Sequence, residues 1–145
     1  MGKISWGRVF LGGLVAAVVW WVAEGIVHGV LLAADWDAAM VALGRTQEQM
    51  QAGMAHFMML VTAWCVITGI LGVWIYAAIR PRFGAGPKTA VIAGIALWCG
   101  VYLLPSIVDL AQQLWPAKLT CIPLITSFFE SILATLAGAW LYRET

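Results

Sequence analysis

Four long apolar runs, separated by short polar breaks, set the pattern of this chain. They cover about residues 5–34, 47–80, 87–115 and 117–142. Each is longer than the roughly 20 apolar residues that carry a helix across the hydrocarbon of a bilayer. The short breaks force consecutive helices to run antiparallel. The pattern therefore predicts an all-α membrane protein, a single four-transmembrane-helix up-down bundle. Local signals mark the boundaries. Thr46-Gln47-Glu48-Gln49 has the form of a capping box at the start of the second run. Arg80-Pro81 closes that run, and Gly86-Pro87 places a first-turn proline at the start of the third. Trp115-Pro116 separates the third from the fourth. Pro105 and Pro123 fall inside runs and are expected to kink them, with neighbouring helices re-satisfying the freed carbonyls. The stretch from Asp35 to Arg45 reads as the longest loop.

Composition agrees with this. Of 145 residues, 63% are hydrophobic and only 10% charged, against about 25% charged in soluble domains. The formal net charge of +1 gives no signal for nucleic acid. Cys65, Cys99 and Cys121 form no CxxC pair, and their odd number gives no disulfide framework; they read as small buried hydrophobes. Lys3 and Arg8 ahead of an apolar run resemble a signal peptide, but that run continues through Trp20-Trp21 to Leu32. It reads as a retained span. Trp6 at the sixth position also excludes a myristoylation signal.

Cations orient the spans. Lys3, Arg8, Arg80, Arg82, Lys88 and Arg143 fall on one side, while Arg45 and Lys118 fall on the other. Both termini are expected in the cytoplasm of a bacterial inner-membrane protein, with the break around Asp35–Arg45 facing outward. Trp6, Trp36, Trp115 and Trp140 lie near span ends, as interfacial tryptophans do. Gly25…Gly29, Gly69…Gly72, Ala90…Gly94 and Ala134…Gly138 supply small residues for close helix contact.

Against this apolar background stand Glu24, His28, His56, Asp109 and Glu130. A charge at the centre of a membrane helix costs about 2.5–3.5 kcal/mol even on the insertion scale, so such residues face the bundle interior or a polar cavity. At 1.5 Å rise per residue, His28, Asp109 and Glu130 each lie about 9–10 Å below the outer end of their spans. His56 lies about 13 Å along its helix, and Glu24 one turn deeper than His28. Glu24 and His28, four apart, share a face. Tyr102, Ser106, Asp109 and Gln113 make a stripe on the third helix, and Thr120, Ser127, Glu130 or Ser131, and Thr135 make one on the fourth. Up-down topology is thus expected to bring Glu24, His28, His56, Asp109 and Glu130 into one ligand-binding cavity, with Tyr102, Ser106 and Ser127 supplying neutral hydrogen bonds.

Two histidines and three carboxylates also suit a divalent transition metal such as zinc, iron or copper, with His28, His56 and Glu24 as the ligand set. The pattern departs, however, from the Glu-x-x-His pairs of di-iron bundles. HExxH, GxSxG, P-loop and dinucleotide fingerprints are all absent, which weighs against an enzyme.

His28-Gly29-Val30-Leu31-Leu32, Trp36, and Leu43-Gly44-Arg45-Thr46-Gln47-Glu48-Gln49-Met50 loosely resemble the bacterial four-span membrane proteins classed as domain of unknown function 1761. The resemblance includes an aromatic-rich end of helix one, a tryptophan, and a Gly-x-Thr-Glu-like entry to helix two, and the size and span arrangement are similar throughout. The family's Tyr-Ser-Pro segment is replaced here around Val27–Val30, and Glu24 and Glu130 do not carry over. The resemblance implies the architecture and no activity.

Three functions compete on this reading. The first is a bundle that binds or translocates a cation, proton or small polar ligand. The second is an accessory subunit of a larger membrane complex, and the third a membrane metalloenzyme. Besides the lipid bilayer, the expected partners are further copies of the chain or another membrane subunit.

Overall fold

The computed structural model describes residues 4–142. Lys3 and Arg143, two of the cations used to orient the chain, lie outside the described residues. Helix α1 (Trp6–Ile26) runs on through a wider, π-helical turn at Val27–Leu31, and a short α2 (Ala33–Ala42) follows. Helix α3 covers Gln47–Phe83. Helix α4 (Pro87–Trp98), a second π-helical turn (Cys99–Leu103) and α5 (Leu104–Gln112) form the third span, and α6 (Ala117–Leu141) the fourth. Four of these helical segments are long and apolar enough to cross a membrane: Trp6–Leu31, Gln47–Phe83, Pro87–Gln112 and Ala117–Leu141. The expected all-α four-span architecture is the one observed.

The expected loop after the first span is instead α2. Its sequence, Ala33-Ala34-Asp35-Trp36-Asp37-Ala38-Ala39-Met40-Val41-Ala42, contains neither Gly nor Pro and is half alanine, the best helix former. It ends in a Schellman arrangement. Gly44 takes φ +80°, Gly44 N–H donates to Val41 O at 2.9 Å, and Arg45 N–H to Met40 O at 3.1 Å. The capping box then starts α3 as expected. Gln49 N–H donates to Thr46 Oγ1 at 3.2 Å, and Thr46 N–H to Gln49 Oε1 at 3.1 Å.

At 37 residues, α3 is about 55 Å long, well beyond a hydrocarbon core of about 30 Å. Residues 51–60 are all exposed, so the first turns of α3 extend past the packed bundle. In the third span, Pro105 has no N–H to give to Val101 O. The helix answers with the wide turn just before it, in which Leu104 N–H reaches back to Cys99 O.

Helices α1 and α4 are each flanked by α3 and α6, and α3 and α6 also touch one another. Small residues set these spacings. Gly12 of α1 faces Gly138 of α6; Gly13 and Ala17 of α1 face Gly69 of α3; Gly94 of α4 lies on the backbone of Ser131 and Ile132 in α6. Gly25 and Gly29, the GxxxG of the sequence, meet nothing within 4 Å and play no part in packing within the chain. The core holds Val9, Ala16, Trp20, Cys65, Val73, Tyr76 and Leu97 among others. Large apolar side chains such as Phe10, Leu14, Val18, Ile67, Ile125 and Leu133 point outward. That is the distribution of a protein whose solvent is lipid.

One end of the bundle carries the first and last described residues. There Ser5 N–H donates to Tyr142 Oη at 3.3 Å, and Tyr142 packs edge-on against Tyr76 at 5.9 Å. The opposite, distal end is closed by α2. Val27, Leu32, Ala39 and Leu119 form a small apolar cluster under it, flanked by Trp36, Trp115 and Ile122.

Candidate functional site

Polar side chains inside a membrane bundle need partners from neighbouring helices, and in the distal half four helical segments supply them to one another. Glu24 and His28 sit on one face of the first span, and His28 Nε2 lies 2.9 Å from Glu24 Oε2. The other Glu24 oxygen, Oε1, accepts a hydrogen bond from Tyr102 Oη. Tyr102 belongs to the wide turn of the third span, so this bond crosses the bundle between its two diagonal helices. Glu130 of α6 brings its carboxyl close to that of Glu24 and faces His28 as well, while the Thr126 hydroxyl one turn earlier donates to Pro123 O at 3.3 Å. Glu130 is only 7% exposed, and its Oε2 is buried with no hydrogen-bond partner among the described residues. The Glu24 side chain is 12% exposed and that of His28 34%. Exposure thus falls from the distal surface inward along the cluster.

The hydrogen-bond chemistry fixes the imidazole. Trp36 Nε1–H donates to His28 Nδ1 at 2.9 Å. An indole nitrogen can only donate, so Nδ1 accepts and the proton of the neutral ring lies on Nε2, pointing at Glu24. Two carboxyl groups hydrogen-bond to each other only when one of them carries a proton to give. Such a bond between Glu24 and Glu130 would join carboxyls contributed by opposite ends of the sequence.

Aromatic rings wall the cluster off toward the other end of the bundle. Trp20 stacks on Tyr102 with centroids 5.4 Å apart and planes 5° from parallel, and Trp64 meets both rings edge-on.

The residues expected from sequence divide. Glu24, His28, Tyr102 and Glu130 come together. Ser127 is fully buried one turn from Glu130, but its hydroxyl donates to Leu124 O at 3.1 Å and accepts from Trp98 Nε1 at 3.2 Å. Ser106 is buried on α5, and none of the cluster's hydrogen bonds involves it. His56 and Asp109 are exposed and do not join the cluster. His56 lies on the part of α3 that overhangs the bundle, and Asp109 on α5, where Ser106 alone is buried.

The expected metal set of His28, His56 and Glu24 is consequently not assembled. Among the described residues, no three His, Cys, Asp or Glu side chains form a group able to hold a metal ion. The cluster's polar side chains are also engaged with one another. Two crevices of about 340 and 360 Å³ occur on the bundle, between α1 and α3 and between α4 and α6, and both are lined by largely apolar side chains with none of the carboxylates. Trp36 was legible in the sequence only as an interfacial tryptophan. The signal pointing to its role is its donor-only nitrogen, placed eight residues after a histidine at a helix break.

Comparison of the chain with protein-family models, with curated proteins and with solved structures finds no match.

Proposed function

We propose that this chain is a bacterial inner-membrane protein that reversibly binds a proton at the Glu24–Glu130 pair, within the broader class of small bundles that bind or translocate protons and cations. The observation that carries the reading is the meeting of two carboxyls inside the membrane-spanning region, one of them with an oxygen left without a donor. Ionisable residues in such positions are the usual parts of proton relays and ion sites. A proton fits better than a small polar ligand because His28, Glu24 and Tyr102 already partner one another, and a proton can join such a chain without displacing any member.

Infrared spectroscopy of the reconstituted protein tests this. A protonated-carboxyl band should grow on acidification of the wild-type protein and be lost in both Glu24→Gln and Glu130→Gln, because each variant removes one half of the pair. A band that survives unchanged in both variants would rule the site out.

The cation asymmetry supports an orientation with both termini and the α3–α4 turn in the cytoplasm. In a cysteine-free background, single cysteines at Ala85 and Ala38 should label from opposite sides of the membrane. Labelling of both from the same side would overturn the orientation.

A second reading, an accessory subunit, is favoured by one feature. The exposed first turns of α3 carry Met54, Phe57, Met59 and Leu60 past the packed bundle. Co-purification of a stoichiometric membrane partner that is lost on shortening this overhang would support it.

A further inference from the structure

Nothing in the proton-binding reading explains why α2 is folded across the distal end and tied there so many times. Asp35 pairs with Lys118 of α6 through both carboxylate oxygens, at 2.8 and 2.7 Å. Trp36 packs edge-on against Trp115, with centroids 5.3 Å apart. Ala39 is buried against Val27, Leu32 and Leu119. Trp36 also donates its single indole proton to His28. The segment is bounded by Leu32, with φ −111° and ψ 7°, and by Gly44 at φ +80°. Both ends thus depart from helical geometry, while the middle is held down by side chains alone.

His28 is the most exposed member of the cluster and the one nearest the distal surface. Of its two nitrogens, Nε2 is directed at Glu24 and Nδ1 is covered by the indole. Glu24 and Glu130 are the ionisable groups that face it from the spans, and on the α2 side Asp35, the neighbour of Trp36 in the sequence, is paired with Lys118.

We infer that Trp36 is a positioning residue for His28: its indole holds the imidazole in the tautomer that points a proton at Glu24, and closes the ring's other nitrogen to the distal side. A proton then reaches the carboxyl pair only when α2 lifts. The step balances simply. With the indole withdrawn, Nδ1 accepts a proton from hydronium, leaving water, and the ring becomes imidazolium. The Nε2–H bond then breaks, and that proton bonds to Glu24 Oε2 while its electron pair stays on the ring, leaving a neutral imidazole with its hydrogen on Nδ1. Unloading retraces the same path. A hydrogen on Nδ1 would face the indole N–H, donor against donor, so Trp36 closes over a loaded pair only after Nε2 has taken a proton from hydronium and Nδ1–H has passed its own to water, which restores the Nε2–H form. This rests on the carboxyl pair being the proton site.

Trp36→Phe keeps the ring and its contact with Trp115 but removes the N–H. Two measurements on the reconstituted protein read its effect. Nitrogen-15 NMR of His28 should show a single Nε2–H tautomer in the wild type and a mixture in Trp36→Phe. Deuterium exchange into the protonated-carboxyl band should be about three- to tenfold faster in Trp36→Phe, a change of about 0.7–1.4 kcal/mol in barrier and of the size of one neutral hydrogen bond. Lys118→Ala loosens α2 without touching the indole, and should speed exchange while preserving the wild-type tautomer. An unaltered tautomer in Trp36→Phe would overturn the positioning role, and an unaltered exchange rate in both variants would overturn the gate. The tautomer measurement does not depend on where the proton is bound, so failure of the carboxyl reading and failure of this inference give different results.

Discussion

Gly69→Ala is expected to destabilise the bundle by about 2–3 kcal/mol, the cost of forcing extra volume into a packed contact, whereas Gly25→Ala should leave it unchanged or slightly more stable. The contrast follows from what each new methyl group meets. At Gly69 it would run into Gly13 O and the backbone nitrogen and Cα of Ala17, all atoms of α1 that no rotamer change can move aside. The helices would have to separate, and α1 is held on its other side by Gly138 of α6 against Gly12. Without a hydrophobic driving force between helices in lipid, such close packing is a main source of association, so the loss is not easily recovered elsewhere. At Gly25 a methyl group meets nothing within 4 Å, and alanine improves helix propensity by up to about 1 kcal/mol. Reversible unfolding in mixed detergent, followed by tryptophan fluorescence, would measure both. Equal stability of the two variants would mean that α1 and α3 are not packed through Gly69.

The spans and the inward stripe of α6 were legible because each rests on a periodicity that membrane burial enforces. Thr120, Ser127, Glu130, Ser131 and Thr135 are all buried, as their spacing implies. The sequence offered no such constraint for α2, whose two aspartates look like loop residues until its alanine content is weighed. Depth counting placed His56 beside Glu24 because it took the membrane boundary to lie near the start of α3. The helix instead overhangs the bundle, and no residue from 51 to 60 is buried. Asp109 fell out for a related reason. After the wide turn forced by Pro105 little packs over α5, and side chains on its outer turns have nothing to be buried against. The pairing of Glu24 with Glu130 was readable only as a shared depth. That they meet depends on Gly12 and Gly138 drawing α1 and α6 together, a contact between helices at opposite ends of the sequence.

Glu130→Met should raise the stability of the bundle while abolishing proton binding, and this opposition would mark Glu130 as a functional rather than a structural residue. A structural glutamate would be expected to have its oxygens satisfied. Glu130 instead leaves Oε2 buried without a partner among the described residues, and an unsatisfied buried polar group costs about 1–3 kcal/mol. Methionine has a similar length, carries no charge and adapts to irregular gaps. Replacing buried ionic groups with well-packed apolar ones is often neutral or stabilising by about 1–4 kcal/mol. Removal of Glu130 would also leave Glu24 with its two other partners, Tyr102 and His28, so no new orphan is created. The expected result is a gain of about 1–2 kcal/mol in the same unfolding assay, together with loss of the protonated-carboxyl band. Tyr102→Phe supplies the opposite case. It deprives Glu24 Oε1 of its donor and should cost about 1–3 kcal/mol. If Glu130→Met instead destabilised the bundle as much as Tyr102→Phe does, Glu130 would be a satisfied structural group, and the carboxyl pair would lose its standing as a site.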